Sequence, residues 1–303
     1  MTDGISQFIR RRKRQDRLFN VLGIACTMVG MLTLSALIVK LVGDGWTHVN
    51  TAFLTSYPSF RPERAGILSP WVGSLAVMVV TGLTAVPLGI AAGVYLEEYG
   101  RRNRLSQFIE VNISNLAGVP SIIYGLLAVG MFISFWKLSP NVLVGGLTLA
   151  MLILPIVIVA TREALRTIPR HIREAAYALG ATKWQVIRHH LLPYSLGGIA
   201  TGVIIALSRA IGETAPLMVV GAVGVIRFLP DSPLTSEFPF LSFQWLQSPY
   251  TVLPLQMFNW TSEPKESFHR LAAATGLILI LVTLSMNAVA ILVRYRARKR
   301  IKW

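Results

Sequence analysis

Apolar residues in this chain gather into long runs instead of recurring at amphipathic spacing. Six runs stand out, at 19–39, 72–96, 113–135, 142–160, 194–226 and 271–293. Each is about 20 residues or longer, enough to cross a hydrocarbon core of about 30 Å at 1.5 Å per helical residue. The pattern predicts an all-α, polytopic membrane protein of about six transmembrane helices. Arg209 and Glu213 interrupt the fifth run, and Pro87, Pro120, Pro155 and Pro216 lie inside runs. Bundled membrane helices tolerate such prolines because neighbouring groups satisfy the freed carbonyls, so kinks are expected there.

Six crossings place both termini on one side, and the basic residues select the side. Six Lys and Arg precede the first run, three lie between the second and third, six between the fourth and fifth, and six follow the last. Seven lie on the other face: Lys40, Arg61, Arg64, Lys137, Arg227, Lys265 and Arg270. The excess marks the cytoplasmic face, so both termini are expected inside a bacterial plasma membrane. Two long outer connections follow, at 43–70 and 227–270. Their Pro, Trp, Tyr and Phe residues suit either interfacial anchoring or docking of an external protein.

Composition agrees with this picture. Of 303 residues, 53% are hydrophobic and 14% charged, whereas a soluble domain carries roughly a quarter charged residues. The net charge of +15 does not mark a nucleic-acid binder, because the cations sit beside the apolar runs as topology signals and anionic-lipid contacts. Cys26 is the only cysteine, which excludes an internal disulfide or cysteine cluster. His189 and His190 are adjacent and not at helical ligand spacing, so no metal site is expected. There is no Gly-rich phosphate loop and no nucleophile elbow. Any ATP must be hydrolysed by another chain.

The connection at 161–193 is too apolar and regular for a solvated loop. Pro169 suits a helix start, Ile172, Ala175, Ala176 and Leu179 recur at helical spacing, and Gly180 stands where a C-terminal cap belongs. Thr182 with Gln185 gives a capping-box pattern, and Pro193 lies where the next span begins. Two short helices meeting at a glycine turn are expected. An interfacial amphipathic helix is the bland alternative.

Glu174, Ala175 and Ala176, followed by Gly180 and by Leu192-Pro193, resemble the EAA loop of ABC-importer permeases. His190 departs from that pattern, which usually has an aliphatic residue two positions before Leu-Pro. Four further stretches resemble the phosphate-specific permeases: Gly66-Ile67-Leu68 ahead of Gly73-Ser74-Leu75, Gly93 to Tyr99, Gly118 to Gly125, and Arg209 to Pro216. Pro254 to Trp260 further resembles the PstA-type member of that family. The resemblance implies a type I importer permease bundle, MetI-like in fold, over 66–293, preceded by a basic tail at 1–18 and a first helix at 19–42 and followed by a basic tail at 294–303. It implies that 161–193 couples to a cytosolic ATPase through Glu174, Ala175, Ala176, Gly180, Thr182, Lys183 and Trp184. The implied partners are a PstC-type permease, a PstB-type ATPase dimer that binds the ATP and Mg, a PstS-type phosphate-binding protein, and membrane lipid. The chain itself would be non-catalytic and hold no cofactor.

Arg209 and Glu213 are informative on their own. They lie about 22 to 29 Å beyond the start of a straight fifth helix, where an ionisable side chain costs about 2.5–3.5 kcal/mol if it faces lipid. At i and i+4 they can pair on one helix face. The pair is either a structural staple or a lining of the substrate path, in which the guanidinium offers a planar fork to a phosphate oxygen. Arg162 is a second candidate phosphate contact, or else a positive-inside anchor. Glu97 and Glu98 end the second helix against its dipole and are expected to pair with Arg101 or Arg102. A permease for another oxyanion and an ion-coupled secondary transporter remain as alternatives.

Overall fold

The computed structural model describes residues 2–100, 103–232 and 242–299, and every regular element among them is helical. In chain order these are α1 (Thr2–Gly45), α2 (Thr51–Thr55), α3 (Leu68–Val94), α4 (Arg104–Leu116), α5 (Ser121–Ala128) and α6 (Val142–Arg166). They continue with α7 (Arg170–Ala178), α8 (Lys183–Val186), α9 (Leu192–Ile211), α10 (Ala215–Val220), α11 (Leu253–Thr261) and α12 (Glu266–Lys299). π-Helical turns extend α3 through Tyr99 and α5 through Phe135, and Ile187–Leu191 joins α8 to α9 without a break. Proline explains that last turn: Pro193 cannot donate to the carbonyl four residues back and its ring crowds it, so a wider turn just before it relieves the ladder.

Five helices are long and apolar enough to cross a membrane, and a bent pair makes up to six. The protein is therefore a multi-pass membrane protein. The expected third span at 113–135 is not one straight helix. It belongs to α4 and the α5 segment, which meet at 106°. Pro120 causes the break by lacking an N–H and by pushing Val119 away from helical geometry, while Gly118 and Val119 close the end of α4 with bonds to Asn115 and Leu116. The chain nevertheless crosses here. Glu97 and Arg162 put the C-terminal ends of α3 and α6 together, so 100–141 must return to the opposite end.

The expected fifth span to residue 226 is also shortened. α9 stops at Ile211, Pro216 sits in the first turn of α10, and Gly221 terminates α10 in the left-handed region with φ 97°. Pro87 and Pro155, in contrast, lie inside continuous helices.

α3 and α6 form the centre of the bundle, running parallel with small residues at the seam. A Cβ on Gly146 would lie 2.5 Å from the Val80 side chain, and one on Gly89 would lie 2.6 Å from Val157. Such close backbone approach is the usual source of helix affinity where lipid competes equally for apolar surface. Thr81 Oγ1 adds a cross-helix bond to the Gly146 carbonyl at 3.1 Å. Val77, Leu149, Ile153, Ala206 and Leu217 fill the core between α3, α6, α9 and α10. α1 stands apart, its apolar side chains exposed along 18–39, and leans on α12 where Gly45 meets the backbone of Ala273 and Ala274.

At the end of the bundle away from the α3–α6 charges, the chain folds over the helix starts. Asn50 caps α2 by accepting from the Phe53 N–H at 2.7 Å. Phe53, Trp260 and Phe268 pack into one cluster, with tilted rings at centroid spacings of 6.2 and 6.3 Å. These aromatics, expected at the membrane interface or on a docking surface, are therefore core residues. The expected long connection from 227 falls partly outside the described residues.

Candidate functional site

The segment after α6 forms an elbow. Pro169 is the N-cap of α7, so the helix begins at Arg170, one residue later than expected. α7 ends in a Schellman motif. Gly180 adopts φ 81°, its N–H donates to Tyr177, and the Ala181 N–H donates to Ala176. Thr182 then caps α8, accepting from the Gln185 N–H while its own N–H donates to Gln185 Oε1 at 2.7 Å. The second short helix is not separate, because α8 runs through the π turn into α9.

The elbow is anchored underneath and bare at its tip. Ala176, Val186, Ile187 and Leu191 are buried against Leu165 and Val94. Leu179 is 89% exposed, and Tyr177 and Trp184 are exposed beside it. Glu174 and Ala175 face solvent and Lys183 sits 4.6 Å over the Tyr99 ring. His190 is half-buried, and Ile187 and Leu191 occupy the buried face of the same turn.

Above the elbow, a cleft of about 700 Å³ is lined by Glu97, Glu98, Glu110, Arg162, Arg166 and Arg173 among others. Arg162, with its side chain 8% exposed, contacts Glu110 at 2.9 Å and faces Glu97 at 3.5 Å. Its Nε has no hydrogen-bond partner among the described residues. Arg166 reaches Glu97 at 3.0 Å, Glu110 at 2.9 Å and Glu163 at 3.1 Å. Arg173 meets Glu98 at 2.9 Å. Arg101 and Arg102, the expected partners of the Glu97 and Glu98 pair, lie outside the described residues. The partners seen are instead on α6 and α7. Sequence spacing missed Arg166, Arg173 and Glu110, although two carboxylates at a helix C-terminus signal that cations must come from somewhere.

Arg209 and Glu213 do pair, with Nε 3.3 Å from Oε1. They do not share a helix face, because α9 ends at Ile211 and Glu213 lies in the break before α10. Arg209 also donates to the Ala117 carbonyl at 3.5 Å, which belongs to the other break, between α4 and α5. Two interruptions thus meet at one charge pair. Its guanidinium is 40% exposed on the side of this chain, and irregular backbone at membrane depth is tolerated where it lines a cavity or is covered by protein. Arg162 lies at the far end of α6 and is not part of this cluster, so the three expected path residues form two separate sites.

Known proteins resemble this chain along most of its length. A family model described as binding-protein-dependent transport system inner membrane component matches residues 85–303. The phosphate transport system permease protein PstA of Haemophilus influenzae is 30% identical over 276 residues, covering 91% of this chain and 92% of that protein. Its counterpart in Yersinia pestis is 31% identical over 283 residues, covering 92% and 90%. Among solved structures, the inward-facing MetNI methionine ABC transporter matches with a TM-score of 0.59 at 18% identity, covering 74% of this chain and 93% of that one. A bacterial alginate ABC transporter, solved with a periplasmic protein that holds an alginate pentasaccharide, matches with a TM-score of 0.64 at 13% identity, covering 91% and 93%. These two likenesses show the fold, a MetI-like importer permease bundle.

Proposed function

The chain belongs to the family of binding-protein-dependent transport system inner membrane components, and on that premise we propose that it is the PstA-type permease subunit of an ATP-driven phosphate importer. The observation that carries the reading is the elbow. A Schellman turn and a capping box fix two helices at one angle, with Leu179 at the tip bare to solvent. An exposed apolar knob on a rigid mount is what a groove in a partner surface requires. That partner is a cytosolic ATPase dimer of PstB type, which binds the ATP and Mg. This chain performs no bond chemistry.

The basic end of the bundle then faces the cytoplasm, with both termini on that side. A PstC-type permease completes the path, and a PstS-type protein delivers phosphate to the opposite mouth. Closure of the ATPases moves the elbow, and rocking of the helices alternates access. Arg209 lines the path, where a fixed cation with a planar fork lowers the barrier for an anion, and Glu213 orients it. Arg162 is better read as a structural cation, because two carboxylates of its own chain neutralise it.

Co-expression with candidate partners, purification and reconstitution in vesicles test this reading. Phosphate uptake that requires ATP and the external binding protein is expected. Uptake driven by an ion gradient without an ATPase would replace it with a secondary transporter, and uptake of another oxyanion alone would change the substrate.

A further inference from the structure

The cytoplasmic charges are not a scattered set of ion pairs. They converge on the last turn of α3, which both arms of the elbow grip. From α7, Arg173 donates through Nε and Nη2 to Glu98 Oε1 at 3.2 and 2.9 Å. The same guanidinium donates to the Ile168 carbonyl at 2.9 Å and the Leu165 carbonyl at 3.1 Å. One planar group therefore ties α7, the C-terminal end of α6 and α3 together, which a lysine with its single point charge could not do in this geometry. From α8, Lys183 sits over the ring of Tyr99, and Tyr95 stacks on Tyr99 at 6.1 Å. Glu98 is 7% exposed. Removing either partner therefore strands the other in a poorly hydrated place.

α3 leads from this grip to the opposite mouth. With its π turn it runs from Leu68 to Tyr99, about 45 Å at the helical rise. At its far end Ser69 Oγ donates to the Ile226 carbonyl at 2.6 Å, and Ser74 Oγ accepts from the Leu253 N–H at 2.8 Å. Gly73 lies so close beneath the Thr251 carbonyl that a Cβ there would clash with it. The covering segments at 223–226 and 250–253 are thus pinned to the same helix that the elbow holds.

We propose that Arg173 is a positioning residue for transport: through Glu98 it fixes the elbow to α3 as one rigid body, so that motion imposed at Leu179 reaches the outer covering segments along α3. The proposal rests on the importer reading above. It requires that α7 and α3 do not move relative to each other during the cycle. A link that merely stabilised the fold would carry no such requirement.

A thiol bridge tests it in the complete complex reconstituted in vesicles. In a Cys26→Ser background, Glu98→Cys and Arg173→Cys remove the native link, and a short thiol-bridging reagent replaces it covalently. Unbridged, the pair should assemble and hydrolyse ATP but import about tenfold less phosphate per ATP, in the range of coupling between sites of one protein. Bridged, it should recover most of that ratio. Arrest of uptake by the bridge would mean that the elbow slides on α3, and undiminished uptake without the bridge would mean that the link is dispensable; either overturns the proposal. So would failure of the bridge to restore coupling in an assembled complex.

Glu98→Gln, Arg173→Lys and the corresponding double variant serve if the cysteine pair does not fold. Each should lower the uptake-to-ATP ratio, and the double variant should lower it no further than the worse single. Additive losses, or losses confined to the amount of assembled complex, would contradict a shared link. The Cys26→Ser parent separates the two readings: if it binds its ATPase yet imports no phosphate, the importer reading fails and the strut is not at fault.

Discussion

Replacing Gly180 separates backbone conformation from every other contribution to the elbow. Its φ of 81° lies in the left-handed region, and a Cβ added there would meet nothing within 4 Å. No clash or lost contact therefore enters. An L-residue pays roughly 1–2 kcal/mol for that conformation, and asparagine is the best tolerated substitute. If the elbow must hold this turn to seat in its partner, that strain lowers the population of the competent form by a factor of about 5–30. Gly180→Val should weaken binding of the ATPase to the purified permease pair by up to that factor, Gly180→Ala by less, and Gly180→Asn least. The assay is a binding titration of labelled ATPase against permease in nanodiscs, with thermal unfolding of the permease as control. Binding of Gly180→Val at wild-type strength would refute the reasoning. So would Gly180→Asn failing as badly as Val, because the two differ chiefly in how well they adopt the left-handed turn.

Other outcomes follow from named contacts. Uptake should fall in the order wild type, Arg209→Lys, Arg209→Gln, and the double variant Arg209→Gln with Glu213→Gln should stay poor while hydrolysing ATP; near-normal uptake by it would remove Arg209 from the path. Gly146→Val overfills the α3–α6 seam against Val80 and should cost about 1–3 kcal/mol, read as a lower unfolding midpoint in detergent with no change at Gly180. Cysteines at Thr182 and Ser262 in the Cys26→Ser background should label from opposite faces of right-side-out vesicles, and labelling from one face would undo the topology.

Much of this was legible in the sequence because the bilayer reads composition directly. Runs of about 20 apolar residues must span, and their lengths alone gave the all-helical class. The capping chemistry of the elbow was equally legible, since Gly180, Thr182 and Gln185 act on neighbours within a few residues. Local rules could not foresee where proline would end a helix and where it would be absorbed. Pro87 and Pro155 stay inside helices, while Pro120 and Pro216 stand at helix starts. Glycine nearby does not separate the two pairs, because Pro87 has Gly89 as close as Pro120 has Gly118 and still lies inside α3. Glu98 needed a cation, but that it came from Arg173, 75 residues away along the chain, depends on α3 and α6 lying parallel. Arg209 and Glu213 were placed on one helix face by spacing, and the break at Gly212 instead set them across a helix end beside the Ala117 carbonyl. Solvent and backbone chemistry fix what each segment is, over distances of a few residues. Which charges meet depends on packing between segments far apart in the chain, and only the tertiary structure decides that.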